Sequence, residues 1–233
     1  MDITAIKLLM EQHGWLYALL RGMPGDLLGC WEICRYQPKD IVCEQGEEPA
    51  CFHILTEGEL KVEHAVTGGH IYTLAHLHPG QLLGDLELTL EVPYVSRVSA
   101  VVKCELLALR ADVYRKWARS DAVFLTELNR ILASKLHATS QKTIENTYMS
   151  SRQMLLRHLY GLIEHCDFNA QMAYTAAISR EDIARRLGVT VRSVNRILKE
   201  LKERRIIFVS KNRIILNEWS RYMMERELQK GEQ

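Results

Sequence analysis

The chain has 233 residues, enough for two compact domains or one large one, and its 47% hydrophobic and 25% charged content is ordinary for a globular protein. No run approaches the roughly 20 apolar residues of a membrane span, and Asp2, Lys7 and Glu11 leave the N-terminus without a signal-peptide core, so a cytoplasmic protein with no membrane partner is expected. The formal net charge of +1 hides an asymmetry: residues 1–120 hold 11 Lys and Arg against 16 Asp and Glu, whereas residues 179–216 hold 11 against 4. That is the balance of a chain whose C-terminal part alone meets a polyanion, although a solvated helix face gives the same charge run.

Residues 3–34 read as helical or irregular, interrupted at Pro24-Gly25. From Tyr36 to Leu109 the texture changes to short apolar runs: Asp40–Cys43, Phe52–Leu55, Leu60–Glu63, Ile71–Leu74, Ser99–Val102 and Glu105–Leu109. Turn signals stand between them at Gly46, Glu57-Gly58, Gly68-Gly69 and Pro79-Gly80, a rhythm that predicts an all-β barrel or sandwich with tight corners at Gly58 and Gly80. A short helix is expected over Ala111–Arg119, running into a long one over Asp121–Tyr148. In the latter Phe124, Leu125, Leu128, Ile131, Leu132 and Leu136 form an apolar stripe. The stripe fits packing on the chain's own sheets, pairing with a second copy, or both on different faces. Past Leu136 it turns polar, at His137, Thr139, Ser140, Gln141 and Lys142. Asn146–Ser150 reads as a hinge, Ser150-Ser151 as the start of a helix reaching about His165, and Asp167–Ala177 as a loop or weak helix.

The stretch Ile178–Leu216 has the most specific pattern. Apolar residues at Ile183, Leu187, Val189, Val194 and Ile197, the small Ala184 and a Gly at 188 have the spacing of a helix-turn-helix, in which two helices cross closely around a tight turn. Ser179 with Asp182 signals a cap for the first helix, and Thr190 can cap the second. Arg192, Ser193, Asn195, Arg196 and Lys199 lie off the apolar stripe of the second helix. Phe208–Val209 and Arg213–Leu216 form a hairpin wing with Lys211 and Arg213 at its tip, suited to phosphates, and Glu218–Gln229 a last helix.

The segments PKDIVCEQGEEPACFHILTEGELKV and LHPGQLLGDLELTLEVPYVSRVSAVVKCELLAL resemble the β-roll of the cyclic-nucleotide-binding domain. With the helix-turn-helix behind them, the chain resembles the bacterial regulators of the CRP/FNR family from about residue 36 to residue 216. The resemblance implies an α+β fold in three parts. These are a β-roll of double-stranded jelly-roll type over 1–120, a dimerisation helix and hinge over 121–148, and a winged helix-turn-helix over 149–233. It implies a homodimeric, sequence-specific transcription regulator with double-stranded DNA, RNA polymerase and a small-molecule effector as partners. Ser179, Arg180, Thr190, Val191, Arg192, Ser193, Asn195, Arg196, Lys199, Lys211 and Arg213 are its candidate DNA contacts. A recognition helix enters the major groove N-terminus first. Where the family commonly has Arg-Glu-Thr-Val-Ser-Arg, this chain has Val191-Arg192-Ser193-Val194-Asn195-Arg196. The missing Glu removes an acceptor for cytosine, so an altered operator is expected.

The same resemblance places the effector at Gly84, Asp85, Leu86, Tyr94, Val95 and Ser96, with Thr139 and Ser140 of the long helix beside it. A solvent-exposed helix end accounts equally well for that polar stretch. In cAMP-binding members an acidic residue after the Gly holds the ribose hydroxyl, which Asp85 matches, and an Arg after the Pro pairs with the cyclic phosphate. Here Pro93 is followed by Tyr94 and Val95. Losing a bidentate guanidinium costs on the order of 2–4 kcal/mol, so cAMP is not the expected effector. The alternatives are another small molecule, an iron–sulfur cluster or haem, or a member that needs no ligand. Cys30, Cys34, Cys43, Cys51 and Cys104 lack the tight spacing of cluster ligands, reduced structural thiols are their default, and no residue is assigned to a metal. No catalytic set is found. The competing class is a sensor acting through protein contacts, with the helix-turn-helix as scaffold.

Overall fold

The computed structural model describes residues 3–66, 71–210 and 213–229; the expected turn at Gly68-Gly69 and the wing-tip Lys211 lie outside them. The chain divides into two compact units, Met1–Thr139 and Ser140–Gln233.

The first unit opens with three helices, α1 (Ile3–Gln12), α2 (Gly14–Leu20) and α3 (Gly25–Leu28). Eight strands follow: β1 (Glu32–Tyr36), β2 (Ile41–Cys43), β3 (Cys51–Glu57), β4 (Leu60–Ala65), β5 (Ile71–Leu77), β6 (Leu82–Leu83), then, past the short helix α4 (Asp85–Leu90), β7 (Arg97–Ala100) and β8 (Cys104–Arg110). Every pairing is antiparallel, giving one sheet in the order β1-β8-β3-β6 and another in the order β2-β7-β4-β5. Side chains from both sheets, among them Leu55, Leu60, Leu83, Val98 and Leu106, meet in one buried cluster, which is the packing of a jelly-roll. The first three residues of β1 lie inside the stretch expected to be helical or irregular, β6 was not expected, and β7 is shifted two residues N-terminal of its expected place.

β3 is buried on both faces. Leu55 faces the interior between the sheets, while Phe52 and Ile54 face outward into a second core. That second core joins the sheet to the N-terminal helices, to α5 (Ala111–Ser120) and to α6 (Ala122–Tyr148) through Trp31, Phe52, Tyr114, Trp117 and Phe124. The Trp117 ring stacks on Phe124 with centroids 3.6 Å apart. At the β3–β4 corner Gly58 takes φ 92°, and a Cβ there would overlap the Lys103 carbonyl and the Cys104 side chain, so the corner admits only glycine.

The expected run of one helix into the next is interrupted at Asp121, whose backbone is extended. Its buried carboxylate accepts the amides of Val123 (2.9 Å) and Phe124 (3.1 Å) and the indole N–H of Trp117 (2.9 Å), capping α6 and fixing the bend. Asp121→Ala orphans three donors, and a loss of about 2–4 kcal/mol is expected in urea unfolding. A change within about 0.5 kcal/mol would show that the cap does not hold this corner.

In the second unit α7 (Ser151–Gly161) starts at a capping box formed by Ser150 and Gln153, with Met149 between it and α6. Inside the expected loop 167–177 lies a strand, β9 (Tyr174–Ala176). Then come α8 (Arg180–Leu187), α9 (Val191–Glu203), the strands β10 (Phe208–Ser210) and β11 (Arg213–Leu216), and α10 (Glu218–Gln229). The wing is a three-stranded sheet, β10-β11-β9. Its missed strand pairs Tyr174–Ala176 with Ile214–Leu216, a partnership 40 residues away that no local pattern announces. After α9, Arg205 adopts φ 57°, a position where glycine is usual and any other residue costs roughly 1 kcal/mol.

Candidate nucleic-acid interface and sensor site

The helix-turn-helix is built by its caps. Ser179 Oγ accepts the Asp182 amide at 3.0 Å and Thr190 Oγ1 that of Ser193 at 3.2 Å, while Gly188 turns the chain between α8 and α9 in the left-handed conformation. The hydrophobic core of this unit takes Val194, Ile197, Leu198 and Leu201 from one face of α9. Arg192, Asn195, Arg196 and Lys199 stand exposed on the other. Lys199 is 3.9 Å from Glu203 one turn on. The remaining candidates play other parts. Val191 packs against the core, and the hydroxyls of Thr190 and Ser193 lie 3.0 Å apart within the cap. Ser179 donates to Asp182 Oδ2 at 2.6 Å. Arg180 is half-buried, with Nη1 enclosed and unpartnered among the described residues. Arg213 is exposed at the start of β11.

The sensor candidates converge only in part. Gly84, at φ 81°, caps α4, and a Cβ on it would come within 2.8 Å of the Cys51 carbonyl. Asp85 is 3% exposed, and its carboxylate already has a cation: Lys135 of α6 places Nζ 2.6 Å from Oδ2 and also donates to the Leu82 carbonyl at 3.1 Å. Lys135 was not foreseen, because 50 residues separate it from Asp85 and neither position carries a local mark of the other. Tyr94 is buried in the inter-sheet cluster. Its hydroxyl donates to the Cys51 carbonyl at 3.3 Å, and burial, reinforced by the neighbouring Cys43, drives its pKa far above the usual phenol value. Arg97 turns outward to Glu44, 2.8 Å away. Val95 is exposed; its carbonyl bonds His64 Nδ1 at 2.7 Å, and Ser96 Oγ sits 3.5 Å from the same nitrogen. Leu86 is exposed on α4. Thr139 is exposed and donates to the Lys135 carbonyl at 2.8 Å, while Ser140, also exposed, belongs to the second unit.

The apolar stripe of α6 is split. Phe124 and Leu128 are buried in the core of their own roll, with Ile131 and Leu132 half-buried against it, so the first two have no surface left for a second subunit. Leu125 and Leu136 remain exposed, at 40% and 69%. All six thiols are unpaired. Burial pushes Cys43 up to about 12 and raises Cys34, Cys51 and Cys104 as well. Among the described residues no three His, Cys, Asp or Glu side chains gather as a metal-binding group, and no helix is long and apolar enough to cross a membrane.

A jelly-roll with a capped Gly-Asp turn, followed by a winged helix-turn-helix with a basic outer face, defines a DNA-binding regulator with a sensor-type domain. Residues 33–121 match the cyclic nucleotide-binding domain family, and residues 153–221 the Crp-like helix-turn-helix domain. The chain belongs to the CRP/FNR family of DNA-binding transcription regulators. It is 24% identical over 177 residues to the cAMP-activated global transcriptional regulator CRP of Salmonella typhimurium, covering 75% of this chain and 84% of that one. It is 21% identical over 194 residues to the CRP-like cAMP-activated global transcriptional regulator of Mycobacterium tuberculosis, covering 79% and 86%. Among solved structures, a CRP/FNR-family regulator from Eubacterium rectale shares the fold with a TM-score of 0.79 at 12% identity, over 93% of this chain and all of that one. The c-di-GMP-responsive regulator CLP of Xanthomonas campestris does so with a TM-score of 0.72 at 17% identity, over 88% and 98%.

Proposed function

We propose that this chain works in the cytoplasm as a homodimer, reads a two-fold symmetric operator through the outer face of α9, and hands the result to RNA polymerase under an input other than cyclic AMP. The observation that carries the reading is the division of α9: Val194, Ile197, Leu198 and Leu201 are buried while Arg192, Asn195, Arg196 and Lys199 are exposed. Guanidinium and carboxamide groups on a helix face are the donors that grip guanine and adenine edges in the major groove. For the dimer, Leu125, Leu132 and Leu136 recur at seven- and four-residue steps along α6, the spacing of a coiled-coil seam.

The input reading rests on two side chains. Asp85, the residue that would meet a ribose hydroxyl, already holds Lys135, and Tyr94, standing where a phosphate-binding Arg is needed, is buried and bonded to the Cys51 carbonyl. An iron–sulfur cluster is disfavoured because Cys30, Cys34, Cys43 and Cys51 follow one another at gaps of three, eight and seven residues, without the tight pairs that cluster ligation uses.

In-vitro selection of random duplexes on the full chain, with and without saturating cyclic AMP, tests the whole. The expected product is one inverted repeat with half-sites about 34 Å apart, bound equally under both conditions. Sequences without two-fold symmetry would sink the dimeric reader, and affinity that rises steeply with cyclic AMP would sink the reading of Tyr94 and Asp85.

A further inference from the structure

The DNA-reading unit carries a second built surface, on α10. That helix presents two stripes offset by one residue. Glu218, Arg221 and Glu225 form one: Arg221 approaches Glu218 at 3.6 Å, donates to the Cys166 carbonyl at 3.0 Å and lies over the Phe168 ring. Burial, with Glu225 and Glu164 close by, raises the Tyr160 pKa, which places Glu225 on the α7 side. Trp219, Tyr222 and Arg226 form the other. Trp219 and Tyr222 are 51% and 48% exposed with ring centroids 5.8 Å apart, and the Arg226 guanidinium stands 5.7 Å over the Tyr222 ring. The Trp219 indole N–H donates to the Arg205 main-chain carbonyl at 3.2 Å, which fixes the ring's orientation and sets the Arg205 backbone, whose side chain is exposed, beside the patch. The carboxylates of α10 nearest the patch are thus turned elsewhere, while Arg205 and Arg226 make no ion pair among the described residues.

We infer that Trp219, Tyr222, Arg205 and Arg226 form a docking surface for an acidic segment of a second protein. Trp, Tyr and Arg are the side chains that carry most binding energy at protein interfaces, and an aromatic ring already held in place loses little freedom on docking. Two unpaired cations with no carboxylate among them select a negatively charged partner. DNA is the poorer occupant, because the patch lies beyond the C-terminal end of α9, about 20 Å of helix axis from Arg192 at the end that enters a groove.

The test is selection from a random peptide library on the full chain, counter-selected on Trp219→Ala/Tyr222→Ala. Enriched peptides should cluster Asp and Glu around an apolar residue. By fluorescence anisotropy they should bind Arg205→Gly and Arg226→Gln at least about tenfold more weakly at low salt, a deficit that shrinks as salt screens the wild-type attraction. Arg205→Gly should unfold at the same or a higher temperature than the wild type, so its loss of binding is not loss of fold. Operator affinity should stay within about twofold in every variant. No enrichment over the counter-selected variant, enriched peptides without acidic bias, or a fall in operator affinity on patch substitution would each overturn the assignment. Self-association of the chain abolished by Trp219→Ala would do the same, making a second copy the occupant.

Discussion

Arg192→Ala/Arg196→Ala is expected to lower operator affinity by two orders of magnitude or more while the chain stays folded. Both side chains are exposed on α9 and take no part in the core of their unit, so their removal should leave urea unfolding within about 0.5 kcal/mol of wild type. Each base-gripping Arg carries about 1–3 kcal/mol of discrimination, or roughly five- to 150-fold in affinity. The loss should fall on the selected operator far more than on random duplex. If instead binding to both weakens in parallel and the salt dependence flattens, the two residues hold phosphates and do not read bases. Unchanged affinity would remove α9 as the reader.

His53→Leu is expected to blunt the acid sensitivity of the roll. His53 lies on β3 between Ala108 of β8 and Leu83 of β6, 6% exposed, and its Nδ1 is buried without a partner among the described residues. Burial pulls its pKa from 6.5 down to about 4. The folded ring therefore stays neutral where the unfolded chain takes up a proton. Stability is full above pH 6.5 and falls as the pH drops toward 4, by roughly 3 kcal/mol in total. Leucine removes this loss, and because it also removes an unsatisfied nitrogen it should be neutral or stabilising at pH 7. Urea unfolding at pH 7 and pH 4.5 decides the matter: an acid limb as steep in the variant as in the wild type would exclude His53 as its source. His158, in the other unit, is lowered to about 4 by burial and by Arg186 and supplies an internal comparison.

What could be read from the residues alone divides along the distance over which a signal acts. The caps at Ser179 and Thr190, the turn at Gly188 and the corner at Gly58 are local demands on backbone geometry, and each is written within four residues of where it operates. The strand rhythm likewise located six of the eight roll strands, because apolar runs and turn glycines are neighbours in sequence. β9, the Asp85–Lys135 pair and the inward seat of Tyr94 depend on partners 38 to 50 residues away, and periodicity carries no such information. The α6 stripe shows the limit most clearly. Phe124 and Leu125 are equally apolar, yet one is fully buried in the roll and its neighbour 40% exposed, which the period predicts only once the position of the sheet is known. Asp121 was legible in principle, since an Asp ahead of an apolar run is a common helix start.

Lys135 also changes what occupancy of the roll would mean. Any molecule that reaches Asp85 arrives as a competitor, because a tethered ammonium is already there at 2.6 Å and, being part of the same chain, is present at an effective concentration of millimolar or more that dilution cannot lower. A newcomer must therefore exceed a threshold set within the protein, and when it does, the Lys135 ammonium gives up Asp85 while Phe124 and Leu128 keep α6 anchored in the roll. Ligand entry and release of the Lys135 ammonium from Asp85 are then one exchange reaction rather than two events in series.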